Sequence, residues 1–279
     1  MNYYCLIAGL PDIHTEDTKT AFSIPELKNE LLEQLSASDA RLLKLIFAAY
    51  DNANFLAFIA NKEAGLNPLG NLSSTDWLEL MLLMNESENP QDLRLMPYIQ
   101  KFHSTYSDEK FLAEGISPED YLATLYFEEA FKCENKFLQK WFDFNLNLNN
   151  ILSAVACRNH GFDPHTLVIG TNEVATTLRQ SNARDFGLTG LFEQLDLVLR
   201  IAEENDLLER EKKIDALKWA WLEENTFFNY FTVERVLAFV LKIQMIDRWK
   251  MLSIEKGEQI FKELLGSMKE GASFDSSNA

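Results

Sequence analysis

The chain has 279 residues, 47% hydrophobic and 25% charged, which is enough apolar surface to offset ordering entropy and excludes disorder over most of its length. Asp plus Glu number 43 against 26 Lys plus Arg, for a formal net charge of −17. Non-specific nucleic-acid binding and polybasic docking on anionic membranes both depend on Lys and Arg, so this balance argues against both.

The length suits one large compact unit or about two domains. Only 11 glycines and 7 prolines are present, too few for the turns of an all-β chain, whereas 20 phenylalanines suit a large, filled core. Cys5, Cys133 and Cys157 are odd in number and widely spaced. They make neither a metal spacing nor a disulfide framework, which points to a reducing, cytoplasmic compartment.

Residues 3–11 are apolar enough for a short N-terminal strand or a first helical turn. The apolar stretch is too short for a signal peptide, and no window reaches the roughly 18 apolar residues of a membrane span. Ser23-Ile24-Pro25-Glu26 has capping-box spacing with Pro in the first turn, and predicts a helix to 35. Ser38-Asp39 opens a long periodic segment. Leu42, Leu45, Ile46, Ala49, Ala53, Leu56, Ile59 and Ala60 recur at steps of three and four, the stripe of an amphipathic helix. Gly65 is expected to end it, with Pro68 beyond.

Ser73 to Asp76 predicts a cap for a helix over 77–84, followed by a polar loop over 85–90. Residues 92–102 read as helix, bent at Pro97. Ser117-Pro118-Glu119-Asp120 starts a helix to 133, and a second runs over 134–158 until Gly161 and Pro164 stop it. Residues 172–180 form a short helix. Helices are further predicted over 189–203, 206–224, 232–252 and 253–268, before a small, polar, disordered tail. The expectation is an all-α, multi-helical fold built from two to three similar units, over 1–104, 105–186 and 187–270, with the tail at 271–279.

An internal repeat supports that division. Displaced by 96 residues, 51–68 lies over 147–164 without a gap. Asn54, Leu56, Ala60, Gly65 and Pro68 meet Asn150, Leu152, Ala156, Gly161 and Pro164 as identities, and Lys62 meets Arg158. The match keeps the stop signal as well as the stripe: Gly supplies a left-handed C′ position without a Cβ penalty, and Pro cannot continue a helix. Asn54 and Asn150 sit beside the apolar stripe, where a buried amide has to be hydrogen-bonded and is expected to tie its helix to a neighbour or a loop. Lys62 and Arg158 are expected in the last turns, against the helix dipole.

The second copy, with Asn147, Asn150-Ile151-Leu152, Arg158, Gly161 and Leu167-Val168-Ile169-Gly170, resembles the repeated helical motif of the C-type (also called d-type) central-stalk subunits of V-type ATP synthases. The run Tyr3 to Pro11 and the helices after it resemble a compact bacterial family of uncharacterised proteins associated with V-type ATPases. The resemblance implies three helical units arranged as a funnel. It also implies a non-catalytic central-stalk role, with the rotor shaft and the membrane rotor ring as partners, in proton or sodium transport. A third copy would lie over 232–265, with Leu237, Val240, Leu241, Met245 and Trp249 as its stripe but without the Gly-x-x-Pro stop.

Chemical signatures point away from catalysis. Neither Gly-x-x-x-x-Gly-Lys-Ser/Thr nor Gly-x-Gly-x-x-Gly occurs, so the common phosphate-cradling loops are missing, and there is no Gly-x-Ser-x-Gly elbow. Gly187 to Gly190 reads as a turn that caps the next helix. His160, Asp163 and His165 read as polar loop residues rather than metal ligands, which need three or more convergent groups. Glu128, Glu129 and Glu134 read as a solvated face, since no Glu has His three residues later as carboxylate-bridged bundles require. No cofactor is expected. The cluster Trp219, Trp221 and Phe227 to Phe231 reads as core, or, where exposed, as a partner-binding anchor. Two other readings remain: a cytosolic helical adaptor unrelated to ATPases, and a carboxylate-dependent helical-bundle enzyme.

Overall fold

Helix-start chemistry accounts for most of the architecture. A computed structural model of the protein describes residues 2–15, 17, 22–87, 92–107 and 117–251. Among the described residues twelve α-helices and no strand are found: α1 (Tyr4–Gly9), α2 (Ile24–Gln34), α3 (Ala37–Ala60), α4 (Ser74–Glu86), α5 (Pro97–Ser107), α6 (Pro118–Ala130), α7 (Lys136–His160), α8 (Pro164–Leu167), α9 (Glu173–Gln180), α10 (Leu195–Ala202), α11 (Leu207–Thr226) and α12 (Val233–Met251). The fold is therefore all-α and multi-helical. The N-terminal segment allowed as a strand is helix α1.

Short polar side chains begin these helices. Ser73 and Asp76 close a reciprocal capping box on α4. Ser117 accepts from Asp120 N at 3.1 Å on α6. Asn135 accepts from Leu138 N at 2.9 Å on α7, and Asp206 accepts from Leu208 N at 2.9 Å on α11. Each such cap contributes about 1 kcal/mol.

Several boundaries differ from expectation. Ser23 caps α2 without a side-chain hydrogen bond, and α3 is capped by Ser36 rather than Ser38. Pro97 opens α5 instead of bending it, as its fixed φ and missing N–H favour. α4 continues through Glu86, and most of the loop expected beyond it lies outside the described residues. The helix expected over 189–203 begins only at Leu195, after a series of turns. Gln194 gives it no side-chain cap. The helix expected over 253–268 and the tail at 271–279 lie outside the described residues.

α3 passes the length and hydropathy test of a membrane span, with a mean hydropathy of 1.3 over one window, half of it buried inside the protein. That apolar surface packs against neighbouring helices. Phe55 stacks on Trp77 of α4 with ring centroids 4.9 Å apart. Tyr126 of α6 donates to Leu45 O across a buried 3.0 Å bond. α7 is held to α11 by Trp221, whose ring stacks on Phe144 at 5.2 Å and lies 5.6 Å from Trp141.

The buried face of α3 includes Leu43, Phe47, Asn54, Phe55 and Phe58, with Asp51. Of the expected stripe, Leu45 and Ile46 are buried and Leu42, Leu56 and Ile59 partly buried, while Ala49, Ala53 and Ala60 are exposed. A helix apolar nearly all round carries little phase information, and the aromatic side chains, which bury the most area, take the core.

Candidate functional site

Two buried asparagines organise the described chain. Asn54 Nδ2 donates to Asn67 O at 3.0 Å, and Asn67 N donates to Asn54 Oδ1 at 2.7 Å. Asn150 Nδ2 donates to Ile169 O at 2.8 Å, and Ile169 N donates to Asn150 Oδ1 at 3.0 Å. Each carboxamide thus satisfies both backbone groups of one residue in the loop after its helix. This is the pairing a buried amide requires.

One turn earlier on the same faces stand Asp51 and Asn147. Asp51 Oδ1 accepts from Asn71 N at 2.6 Å and Leu72 N at 3.2 Å, and its Oδ2 accepts from Asn71 Nδ2 at 2.6 Å. Asn147 Oδ1 accepts from Asn172 Nδ2 at 2.8 Å. Both therefore anchor the chain entering the following helix, α4 or α9. Burial raises the Asp51 carboxyl above its ordinary range, against the pull of the Asn71 and Leu72 bonds.

A cation completes each loop. Lys28 Nζ donates to Leu69 O at 2.8 Å and Gly70 O at 2.7 Å. Arg179 donates to Val168 O at 2.6 Å and Gly170 O at 2.9 Å. The first comes from the helix before the long helix and the second from the helix after it. Gly70 has no room for a side chain, because a Cβ there would collide with the Asn54 amide and the Asp51 carboxylate. The alignment at 51 and 147 held the signal for the Asp51–Asn147 pair. No local pattern pointed to Lys28 or Arg179, whose targets lie in loops beyond their own helices.

The other repeated positions diverge. Gly161 has the expected left-handed φ of 72° at the end of α7, and Phe162 N bonds back to Cys157 O at 2.9 Å. Gly65 does not end α3, which stops at Ala60 with Asn61 extended, and Gly65 has no positive φ. Pro164 begins α8, with Asp163 capping it, whereas Pro68 lies in a turn. Lys62 falls beyond α3, and no hydrogen bond or ion pair to it is found among the described residues. Arg158 does sit in the last turn of α7. It reaches across to Ala183 O at 2.7 Å and Arg184 O at 2.9 Å, with its guanidinium 3.6 Å from the Phe186 ring centroid.

The face of α3 expected to be core borders a cavity of about 1210 Å³ between α3, α6, α7, α11 and α12. Ala49, Ala53 and Leu56 line one side, and Asn145, Lys218 and Gln244 another. Tyr50 also borders it, its phenol pushed up to about 12 by burial and by Asp247.

At the α11–α12 turn, Phe228 is 82% exposed, and Phe227, Tyr230 and Phe231 are exposed with it. Tyr4 of α1 joins them, its ring 4.5 Å from that of Phe231. Trp219 is buried and Trp221 partly so; the aromatic cluster is thus divided between core and surface.

Glu128 and Glu129 lie in surface ion pairs with Lys101 and Lys132 at 3.4 and 2.9 Å. His160 and His165, expected in a loop, are both helical: His160 is the exposed last residue of α7 and His165 an exposed residue of α8. Among the described residues no group of three or more His, Cys, Asp or Glu side chains is placed to hold a metal ion.

A family model described as "Protein of unknown function (DUF2764)" matches residues 1–272. No curated protein and no solved structure matches the chain.

Proposed function

The chain belongs to this family of proteins of unknown function, and we propose that it is a non-catalytic central-stalk subunit of a V-type ATPase or ATP synthase. In this reading it is cytoplasmic, peripheral to the membrane, and links the rotor shaft to the membrane rotor ring. The observation that carries the reading is the identical clasp made by Asn54 and Asn150 at corresponding points of α3 and α7. It supports two equivalent helical units, each a helix, a long helix, a clasped loop and a following helix. α11 and α12 would begin a third, whose loop falls outside the described residues. Three such units around a central space would make the funnel that the sequence resemblance implies.

Torque transmission requires that a subunit resist deformation under load. Loops fixed at both backbone groups, with a cation on neighbouring carbonyls, supply stiffness where helical scaffolds are softest. The missing phosphate loops fit a subunit whose partners hydrolyse the nucleotide. Mild cross-linking followed by recovery of the full chain from its native cell tests the reading. Shaft or ring subunits are expected among the captured proteins. Reproducible recovery of unrelated proteins alone would overturn it.

One observation favours a second reading, the helical adaptor. The exposed aromatics at the α11–α12 turn are the residue types that dominate interface hot spots, and nothing about them demands a rotary partner. The same recovery experiment separates the two.

A further inference from the structure

We propose that the aromatic tip made by α1 and the α11–α12 turn docks a partner protein segment of one chemistry, apolar anchors flanked by Lys or Arg. The inference rests on the adaptor reading of this surface, which it deepens, and is independent of the stalk reading. Tyr4, Phe227, Phe228 and Tyr230 are each more than half exposed, and Phe231 joins them. Apolar residues scattered singly over a surface need no explanation, but rings gathered in one place mark an interaction site.

The tip is held in place by its own hydrogen bonds. Tyr3 N donates to Phe231 O at 2.7 Å, and Asn229 N donates to Thr226 O at 2.9 Å. Thr226 Oγ1 donates to Leu222 O at 2.6 Å across a buried bond. Tyr3 is itself buried, and its hydroxyl accepts from Ser36 N at 3.1 Å while donating to Asp39. These bonds fix α1 against the turn, although none of the residues of α1 is fully buried. The position of α1 brings the Tyr4 ring to 4.5 Å from that of Phe231. Rings fixed before a partner arrives lose little entropy on binding.

Charge selects the occupant. No Lys or Arg occurs in 2–15 or in 219–234, whereas Asp12, Glu223, Glu224 and Glu234 do. Glu223 is engaged by Lys242 and Trp219, and Glu234 by Asn135. Asp12 and Glu224 are exposed, and no ion pair to either is found among the described residues. Arg235, the next cation along the chain, has its charge against Glu223. Exposed carboxylates beside exposed ring faces favour cations twice, by charge and by the ring quadrupole. A second copy would bring the same acidic rim and a net charge of −17 against itself. An anionic membrane or a nucleic acid meets the same repulsion. A basic segment with apolar anchors satisfies both the rings and the carboxylates.

Fluorescence anisotropy of a labelled leucine–lysine peptide against the full chain tests this, with a leucine–glutamate peptide as the control. Saturable binding of the lysine peptide at one site per chain is expected, weakening at least tenfold as salt rises from about 50 to about 500 mM. Phe228→Ser combined with Tyr230→Ser should weaken it at least tenfold. Leu207→Ser combined with Leu208→Ser, at exposed positions on the far end of α11, should leave it unchanged. Tyr4→Ser should also weaken binding and keeps the test decisive if the turn variant fails to fold. Equal binding by the Tyr4 and turn variants, equal binding of the glutamate peptide, or Phe228-dependent dimerisation or recruitment to phosphatidylcholine vesicles in place of peptide binding would each overturn the proposal. Peptide binding is read on the isolated chain and both functional readings on captured complexes, so each can fail alone.

Discussion

Asn54 and Asn67 face each other through two hydrogen bonds of opposite sense, the amide of one side chain donating to and accepting from the backbone of the other residue. The bonds tie α3 to the loop that leads to α4. Replacing Asn54 with Leu removes both and strands a backbone N–H and a carbonyl, at a cost of about 1–3 kcal/mol for each group left unsatisfied. Asn150→Leu should cost a similar amount at Ile169. The two clasps share no partner, so the double variant should lose the sum of the single losses. Chemical denaturation of the three variants measures this. A loss at one position only would remove the equivalence of the two loops.

Gly70 and Gly65 should respond in opposite ways to alanine. A Cβ at Gly70 meets Asn54 and Asp51, while nothing lies within 4 Å of one at Gly65. Gly70→Ala should lower the melting temperature by several degrees, the scale of about 1 kcal/mol or more in a chain of this size. Gly65→Ala should be neutral or raise it by restricting the unfolded chain. Gly161→Ala should cost about 1–2 kcal/mol, because its left-handed backbone penalises any Cβ. Thermal melts of the three variants check the order.

Arg158 and Lys62 occupy matching sequence positions with unlike surroundings. Arg158 holds two carbonyls of the turn before Phe186, a non-glycine residue at φ 55°. Arg158→Ala should speed amide exchange and proteolysis around 183–187 with little change in global stability, since the contacts are local and exposed. Lys62→Ala should change stability by less than about 0.5 kcal/mol.

Lys28 should give a pH signature. Burial lowers its ammonium from 10.5 to about 8, partly offset by Asp51. Between those values the unfolded chain binds more protons than the folded one, so the Lys28 contribution to stability rises with pH across that window and is flat below it. The difference in unfolding free energy between wild type and Lys28→Met, followed from pH 7 to 10.5, should therefore shift in favour of the wild type as pH rises. A pH-independent difference would rule out this linkage.

The three thiols should react in order of access. Cys5 is exposed, Cys133 intermediate and Cys157 buried, and burial raises both the Cys133 and Cys157 thiols above their ordinary range. Alkylation under native conditions should label Cys5 first, and Cys157 should label only at the rate of local or global opening. Mass mapping of the modified sites over time decides the order.

The sequence alone determined that the chain is helical and where most helices begin. A cap is a contact between residues three apart, so Ser73 with Asp76, Ser117 with Asp120, and Asn172 with Ala175 are written locally. It also placed Asn54 and Asn150 at matching points, because an amide on an apolar stripe stands out. Only the tertiary structure decided what those amides hold. Asn67 and Ile169 lie in loops of different length, and backbone groups carry no side-chain signature. How the core follows α3 was likewise settled by packing: Leu45 and Ile46 of the expected stripe are buried, but Ala49, Ala53 and Ala60 are exposed while the rings of Phe47, Phe55 and Phe58 are buried. The same applies to the cluster Trp219 to Phe231. Its composition marked it as important, but the antiparallel turn from α11 to α12 put Trp219 inside and left Phe227, Phe228, Tyr230 and Phe231 in solvent.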